Sequence, residues 1–209
     1  MLIDQTLRAF AAAAAARTPT PGGGSVSAYL GSLGAALGAM AARYTEGRKG
    51  FESHAAALAA ESARLDAVRL ELEGLLDEDA AAYQRLTAAY ALPKSSEAEQ
   101  SARREAVQSA LAVAMDVPLR IGRSAVSGLE QLESLAAHVN PNLASDVAVG
   151  AHALGAAFRG AWVNVLVNLA SLRDEDTRRA VLDEGQALLA RSEALEARVA
   201  GPIVARLRG

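Results

Sequence analysis

A run of three glycines behind two prolines most constrains how this chain can fold. The segment 18–45 reads TPTPGGGSVSAYLGSLGAALGAMAARYT. Pro19 and Pro21 fix their own φ and disfavour the α conformation in the residue before each of them, so no helix crosses this point. The helical pattern that follows must therefore begin close to the glycines, and Ser25 is predicted as its N-cap. The free N–H groups at such a helix start favour a carboxylate or a carbonyl oxygen in front of them.

The same glycines also fit a tight turn ahead of a closely packed helix, because glycine mostly serves backbone geometry. A phosphate loop is not indicated, since no Gly-Lys-Ser/Thr follows and the GxGxxG spacing is absent. Small residues recur along the helix at steps of three and four, and such a stripe allows another helix to approach closely. This small-residue stripe consists of Ala28, Gly31, Ser32, Ala35, Ala39 and Ala42.

The rest of the chain shows helical patterns, and no stretch alternates as a strand would. Helices are predicted over 2–16, from Ser25 to about 45, and over 51–90, 96–137, 143–172 and 175–207. Pro118 predicts a kink or split near 116–117, and Asn142 or Ser145 is expected to cap the helix after the HVNPN loop. We predict one all-α domain over 1–209, an up-and-down bundle with long antiparallel helices, one of them kinked at Pro118.

Composition excludes several classes of function. The chain has no cysteine, which rules out thiol catalysis and fits a reducing compartment, and its three histidines lack zinc-site spacing, so no metal is predicted. A net charge of −3 and 4% aromatic residues give no indication of nucleic-acid binding. No signal peptide is indicated at the start, and polar residues interrupt the apolar stretch 147–172, so no membrane span is expected there. We therefore expect a soluble cytoplasmic protein.

Helical geometry predicts that polar residues gather at two ends of the bundle. The turn at Arg48 and Lys49 reverses the chain, so Asp77 and Asp79 return to within about 10 Å of the level of Ser25. The basic pair itself lies about 30 Å from that level. Asp77 and Asp79 point about 200° apart on their helix and cannot share one role.

The helix over 143–172 extends this two-ended arrangement. Asp146 and Asn164 lie on one face but about 27 Å apart, so they belong to different ends. Asp146 and the HVNPN loop fall at the Lys49 end, and Asn164 and Asn168 fall at the glycine end. A solvated charge run and asparagines that satisfy each other remain alternatives, although two amides in an apolar helix are costly unless paired.

Several segments, in order along the chain, resemble the cyclodeaminase domain of formiminotransferase-cyclodeaminase and the related bacterial methenyltetrahydrofolate cyclohydrolases. They are PGGGS, YTEGRKGF, LLDEDAAAYQRLTAAYALPK, AMDVP, NPNLASD and RGAWVNVLVNL. None of them belongs to a formiminotransferase domain, so we expect the chain to act alone. The chain departs from the family pattern at Val139, where a glycine is frequent, and at Arg48, where a lysine is usual.

The resemblance implies an all-α homodimer that binds a reduced folate in a cleft and needs no cofactor. The reaction is closure of formiminotetrahydrofolate with loss of ammonia, or hydrolysis of the methenyl bridge. The implied catalytic residues are Asp79, Asp77 and Lys49, with Asp79 preferred for proton transfer. The implied substrate-binding residues are Gly22, Gly23, Gly24, Ser25, Arg48, Asn140, Asn142, Asp146, Asn164 and Asn168.

The distance between the two ends adds an expectation about assembly. Lys49 and the glycines lie farther apart than a folate is long, so one subunit cannot supply both to one ligand. A two-fold dimer of antiparallel helices, packed through the small-residue stripe, gives two composite sites. The alternative hypothesis is a non-catalytic helical dimer module of the same fold that binds another small molecule or a partner protein.

Overall fold

The computed structural model describes residues 1–207 and is built from α-helices, with no strand in that range. The helices are α1 (Leu7–Ala14), α2 (Gly23–Thr45), α3 (Ala55–Tyr90), α4 (Glu97–Ala136), α5 (Ala144–Leu169) and α6 (Glu175–Leu207). Short 3-10 turns, Glu52–His54 and Pro141–Leu143, precede α3 and α5. The predicted all-α architecture is confirmed.

Helix α2 lies between α3 and α5. It packs against α3 on one side and α5 on the other, while α4 contacts α3 and α5, and α6 covers α4 and α5. Contacts between Gly23 and Asn164 at one end, and between Thr45 and Asn140 at the other, show that α2 and α5 run antiparallel.

The helix starts agree only in part with the sequence patterns. The sequence offers Ser95 or Ser96 as the cap of α4, and the helix begins at Glu97 with Ser96 as N-cap, whose side chain forms a capping box with Glu99. The prediction of Ser25 as the N-cap of α2 is wrong, because the helix begins at Gly23 with Gly22 as N-cap. Ser25 thus lies inside the first turn, where its N–H is free to bond a group from a neighbouring helix.

The start of α5 also differs from the expectation. Neither Asn142 nor Ser145 caps it; instead the side chain of Asn140 accepts the N–H of Asn142 at 3.0 Å and caps the 3-10 turn. α1 is shorter than the predicted 2–16, because Thr6 caps it by accepting the N–H of Ala9. Pro118 lies within α4 without splitting it.

The small-residue stripe of α2 is buried inside the bundle. Ala28, Ala35 and Ala42 are fully enclosed, so the stripe packs against α3 and α5 of the same chain. The expectation that it forms the dimer surface is therefore wrong: its small side chains serve close packing within the subunit. By length and composition α2 could cross a membrane, but 61% of its most apolar window is buried, as in a core helix.

Two helix backbones approach each other closely where α2 crosses α5. A Cβ added to Gly34 would lie 2.7 Å from the carbonyl oxygen of Gly150, and one added to Gly150 would lie 2.8 Å from that of Gly34. Both separations are shorter than the normal contact distance between a Cβ and a carbonyl oxygen, so a side chain at either position would force the backbones apart. The glycines are thus required by contact between backbones.

We predict that Gly34→Ala lowers the free energy of unfolding by about 1–3 kcal/mol, because the two backbones must separate. Gly74→Ala is the matched control, since Gly74 lies in α3 with nothing within 4 Å of an added Cβ. That control should gain about 0.5–1 kcal/mol from higher helix propensity. Urea unfolding of both variants measures the difference, and equal stabilities would contradict the proposed backbone contact.

Candidate active site

A cavity of about 210 Å³ opens at the end of the bundle where α2 begins. It is smaller than the roughly 300–1,000 Å³ of sites that enclose a drug-sized ligand, so it can hold one end of a larger molecule. Five segments contribute its wall: the loop before α2, the first turn of α2, α3, α4 and α5. The lining residues are Pro19, Thr20, Gly22, Gly23, Gly24, Asp79, Ala82, Tyr83, Ala114, Asn164, Val167 and Asn168.

Asp79 on α3 is attached to the first turn of α2. Its Oδ2 accepts the backbone N–H of Ser25 at 2.8 Å and the hydroxyl of Ser25 at 2.9 Å. The sequence predicts that a carboxylate binds in front of this helix start, and the side chain of Asp79 occupies that position. Gly24 permits this approach, because a Cβ there would overlap Oδ1 and lie 2.5 Å from the carboxyl carbon.

The two carboxylate oxygens of Asp79 have different surroundings. Oδ2 is held by Ser25, whereas Oδ1 has no hydrogen-bonding partner within residues 1–207 and lies beside the cavity. Burial raises the pKa of Asp79 above its ordinary value, and the two hydrogen bonds from Ser25 offset part of that rise. A carboxyl group with one fixed oxygen, one accessible oxygen and a raised pKa is suited to accept and return a proton.

The two asparagines of α5 are oriented by backbone carbonyls. The amide nitrogen of Asn164 donates to Gly160 at 2.8 Å, and that of Asn168 donates to Ala114 at 2.7 Å and to Asn164 at 3.1 Å. Because their nitrogens are used in this way, their oxygens are left to accept hydrogen bonds from a ligand.

Pro118 explains why the carbonyl of Ala114 is free to bind Asn168. In a continuous helix that carbonyl would accept the N–H of residue 118, but proline has none. The released oxygen lies at the cavity wall and fixes the amide of Asn168. The proline inside α4 therefore contributes to the site.

The first turn of α2 also contributes donors. The N–H groups of Gly23 and Gly24 precede the first intrahelical bond, which Val26 makes to the carbonyl of Gly22 at 3.0 Å. Neither N–H has an acceptor among the described residues. The cavity thus offers two backbone donors beside three acceptor oxygens, from Asp79, Asn164 and Asn168, and suits a ligand edge that carries both a carbonyl and N–H groups.

Asp77 lies apart from this cavity. Its Oδ1 accepts the backbone N–H of Leu2 at 2.6 Å, and its Oδ2 is buried without a partner in residues 1–207. The two acids thus point in different directions, as their spacing requires. Asp77 contacts the N-terminal segment rather than the residues around Asp79.

The remaining predicted site residues lie at the other end of α2, about 33 Å away. Arg48 and Lys49 project from a turn bounded by Gly47 (φ +72°) and Gly50 (φ +92°), conformations that favour glycine. The guanidinium of Arg48 lies 5.2 Å from the centre of the Tyr44 ring. The same end holds Asn140, Asn142 and Asp146.

This two-ended placement agrees with the spacing argument, whereas the individual roles of these residues stay predictions. Tyr83 was not predicted from the sequence as a site residue, although it lies one helical turn after Asp79 and thus on the same face. It also missed Ala114, which the position of Pro118 four residues later could have indicated. No group of three side chains arranged to hold a metal ion is found in residues 1–207.

The fold and the cavity together define a class of protein: an all-α antiparallel bundle with a half-buried carboxyl group held at a glycine-rich helix start. A family model described as formiminotransferase-cyclodeaminase matches residues 6–187. A methenyltetrahydrofolate cyclohydrolase of Methylorubrum extorquens is 34% identical over 94% of each chain. The chain belongs to the formiminotransferase-cyclodeaminase family.

Two further relatives describe the extent of the similarity. The formimidoyltransferase-cyclodeaminase of Rattus norvegicus is 34% identical over 98% of this chain, which spans 38% of the length of that enzyme. The crystal structure of a formiminotetrahydrofolate cyclodeaminase from Thermotoga maritima superposes with a TM-score of 0.89 at 33% identity, covering 99% of this chain and 100% of the other.

We predict that Ser25→Ala raises the pKa of Asp79 further above its ordinary value. The hydrogen bonds from Ser25 favour the charged carboxylate, so removal of the hydroxyl leaves the effect of burial less opposed. Carboxyl ¹³C NMR titration, with Asp79→Asn used to assign the resonance, measures the change. Ser32→Ala is the matched control, because Ser32 is a buried serine of α2 that bonds only Tyr29. A pKa that stays unchanged in Ser25→Ala would contradict the assignment.

Proposed function

We propose that this chain is an enzyme of folate one-carbon metabolism. It acts on formiminotetrahydrofolate as a cyclodeaminase, or on methenyltetrahydrofolate as a cyclohydrolase. The observation that carries the proposal is Asp79, a half-buried carboxyl group fixed through Oδ2 and open to the cavity through Oδ1. The names of the relatives support the same substrate class.

Both reactions need a group that moves a proton. In cyclodeamination a folate nitrogen attacks the formimino carbon and ammonia leaves; in hydrolysis water attacks the methenyl carbon and a carbon–nitrogen bond breaks. Each passes through a tetrahedral carbon bonded to both folate nitrogens and to one further heteroatom, where the attacking group loses a proton and the leaving nitrogen gains one. Asp79 Oδ1 takes the first proton and supplies the second, and its raised pKa brings it closer to the working pH.

The other polar groups of the cavity suit the pterin ring of a folate. That ring carries a carbonyl oxygen beside N–H groups along one edge. In this proposal the N–H groups of Gly23 and Gly24 bind the carbonyl, and the side-chain oxygens of Asn164 and Asn168 accept the N–H groups. Arg48 and Lys49 of the same subunit lie too far away to reach that folate, so those of a second copy attract the carboxylates of its glutamate tail.

We expect the wild-type protein to accelerate loss of the methenyl chromophore above the rate in buffer, and Asp79→Asn to lower kcat by about 10²–10⁴ with less effect on KM. An amide keeps the shape of the carboxyl group but cannot carry the proton. Asp77→Asn is the comparison variant, since Asp77 bonds Leu2 rather than lining the cavity. A parallel assay for ammonia release from formiminotetrahydrofolate decides between the two reactions.

Two results would overturn this assignment. Normal turnover by Asp79→Asn together with an inactive Asp77→Asn would exchange the roles of the two acids. A folded wild-type protein that neither accelerates either reaction nor binds a reduced folate would favour the non-catalytic binding module.

The outer surface of the bundle supports a homodimer. The outward residues of α2 repeat at steps of four and three and are large and apolar: Val26, Leu30, Leu33, Leu37, Met40 and Tyr44. On α5, Val149 is 55% exposed and Val163 is 59% exposed. These two adjacent helices form an apolar surface along the whole length of the bundle, of the kind that marks an interface with another protein.

This apolar surface reaches the cavity. Val167 on α5 is 67% exposed and also lines the cavity wall. A second copy that covers α2 and α5 would therefore lie at the mouth of the cavity. If the two copies of α2 cross antiparallel about a two-fold axis, the partner's basic turn approaches the glycine end and completes a composite site.

We predict that mixing inactive Lys49→Ala protein with inactive Asp79→Asn protein restores activity. In a heterodimer with composite sites, one site combines the two mutated halves and the other combines two intact halves. After subunit exchange at equal concentrations, about half of the dimers are mixed and each carries one active site. Turnover measured before and after exchange tests this.

The control is a mixture of the single variant Asp79→Asn with the double variant Ser25→Ala/Asp79→Asn. Both proteins lack Asp79, so no dimer has an intact site and the mixture should stay inactive. Mixed dimers of Lys49→Ala and Asp79→Asn that exchange subunits yet remain inactive would place the whole site within one chain.

A further inference from the structure

A buried carboxyl group lies at the end of the bundle opposite the cavity. Glu61 on α3 is only 2% exposed, and both of its oxygens are bonded. Oε1 accepts the hydroxyl of Ser134 at 2.5 Å, and Oε2 lies 2.8 Å from Nε2 of His138. Nothing in the proposed reaction uses these three residues.

His138 continues this cluster to a second loop. Its ring stacks on that of His54, with the centres 5.1 Å apart and an angle of 14° between the planes. His54 belongs to the 3-10 turn that follows Arg48 and Lys49, whereas His138 lies two residues before Asn140 and thus at the start of the asparagine loop. The stacked rings thus join the two loops that carry the predicted site residues of this end.

A second link joins the end of α2, which leads into the basic turn, to the Asn140–Asn142 loop. The backbone N–H of Asn140 donates to the hydroxyl of Thr45 at 3.1 Å, and Thr45 donates to the carbonyl of Ala41 at 2.8 Å. Thr45 is fully buried and Asn140 is 9% exposed. Together, Thr45–Asn140 and His54–His138 hold the basic turn and the asparagine loop as one unit, and Glu61 attaches that unit to α3.

We propose that Glu61 and His138 are a positioning pair that sets the placement of Lys49 relative to Asn140 and Asn142. The role in catalysis rests on the proposed function, in which these residues hold the far end of the folate. A buried ionic or polar pair contributes little net stability compared with apolar packing, and fixing the register of the elements it joins is its best-attested use. Here it fixes the ends of α3 and α4 against the turn after α2.

The test compares two substitutions that each remove one bond to Glu61. His138→Phe keeps a ring that can stack on His54 but cannot donate to Glu61. Ser134→Ala is the matched control: it removes the other bond to Glu61, yet Ser134 lies within α4 and has no contact with either loop among its hydrogen bonds. Both variants leave the buried carboxyl group one partner short, so both should lose thermal stability to a similar degree.

The kinetic readout is the division of the effect between KM and kcat. We expect His138→Phe to raise KM for methenyltetrahydrofolate about tenfold, the factor that corresponds to one lost charge-assisted hydrogen bond, with kcat within about twofold. Ser134→Ala should leave KM unchanged. His138→Gln, whose amide can still donate to Glu61, should recover most of the affinity. Equal KM changes in His138→Phe and Ser134→Ala would mean that the cluster serves stability alone and would overturn the proposal.

Hydrogen exchange measured by mass spectrometry tests the same pair without any activity. In His138→Phe, exchange should rise together in residues 48–54 and 138–142, while Ser134→Ala leaves both segments as in the wild type. Unchanged exchange in 48–54 overturns the positioning role. If the wild-type protein proves inactive on folates, the proposed function fails, and the exchange pattern still decides whether Glu61 and His138 position the two loops.

Discussion

The close approach of α2 to its neighbours is the constraint on which the site depends. Where α2 crosses α5, Gly34 and Gly150 leave no room for a Cβ on either chain segment. The same close packing continues to the start of α2, where Gly24 lets Asp79 reach Ser25. A larger residue on the inner side of α2 would separate the helices and remove the hydrogen bonds that fix Oδ2. The small residues of α2 therefore keep Asp79 in position as well as allowing the core to pack.

Polar groups of the cavity are oriented by backbone groups that have no partner within their own helix. Pro118 releases the carbonyl of Ala114, which binds Asn168, and the first turn of α2 supplies the N–H of Ser25 to Asp79. Backbone atoms are rigid compared with side chains, so they hold these groups in one geometry before a ligand arrives. Such preorganisation is what electrostatic catalysis requires, since no energy is then spent on rearranging the site during reaction.

The sequence predicted the position of each residue along the bundle axis better than the direction in which its side chain points. A rise of about 1.5 Å per residue was sufficient to place Asp79 and Asn164 at the glycine end and Lys49 and Asn140 at the other. It could not show that Asp77 turns toward Leu2, because that contact depends on where the N-terminal segment folds back. Glu61 was not predicted to be buried for a similar reason. In the run AAESAR it resembles a solvated residue, and it is buried only because α4 packs over it.

Helix α2 reverses the usual distribution of side chains, and this reversal connects the site to the outer surface of the bundle. A surface helix normally turns its large apolar residues inward, but α2 places glycine and alanine inward and valine, leucine, methionine and tyrosine outward. Leucines on the inner side would enlarge the gap between α2 and α3 that Asp79 must cross. Because the inner side must stay small, the large apolar residues of α2 lie on its outer side. Close packing within the subunit and a large apolar outer face are thus two consequences of the same sequence pattern.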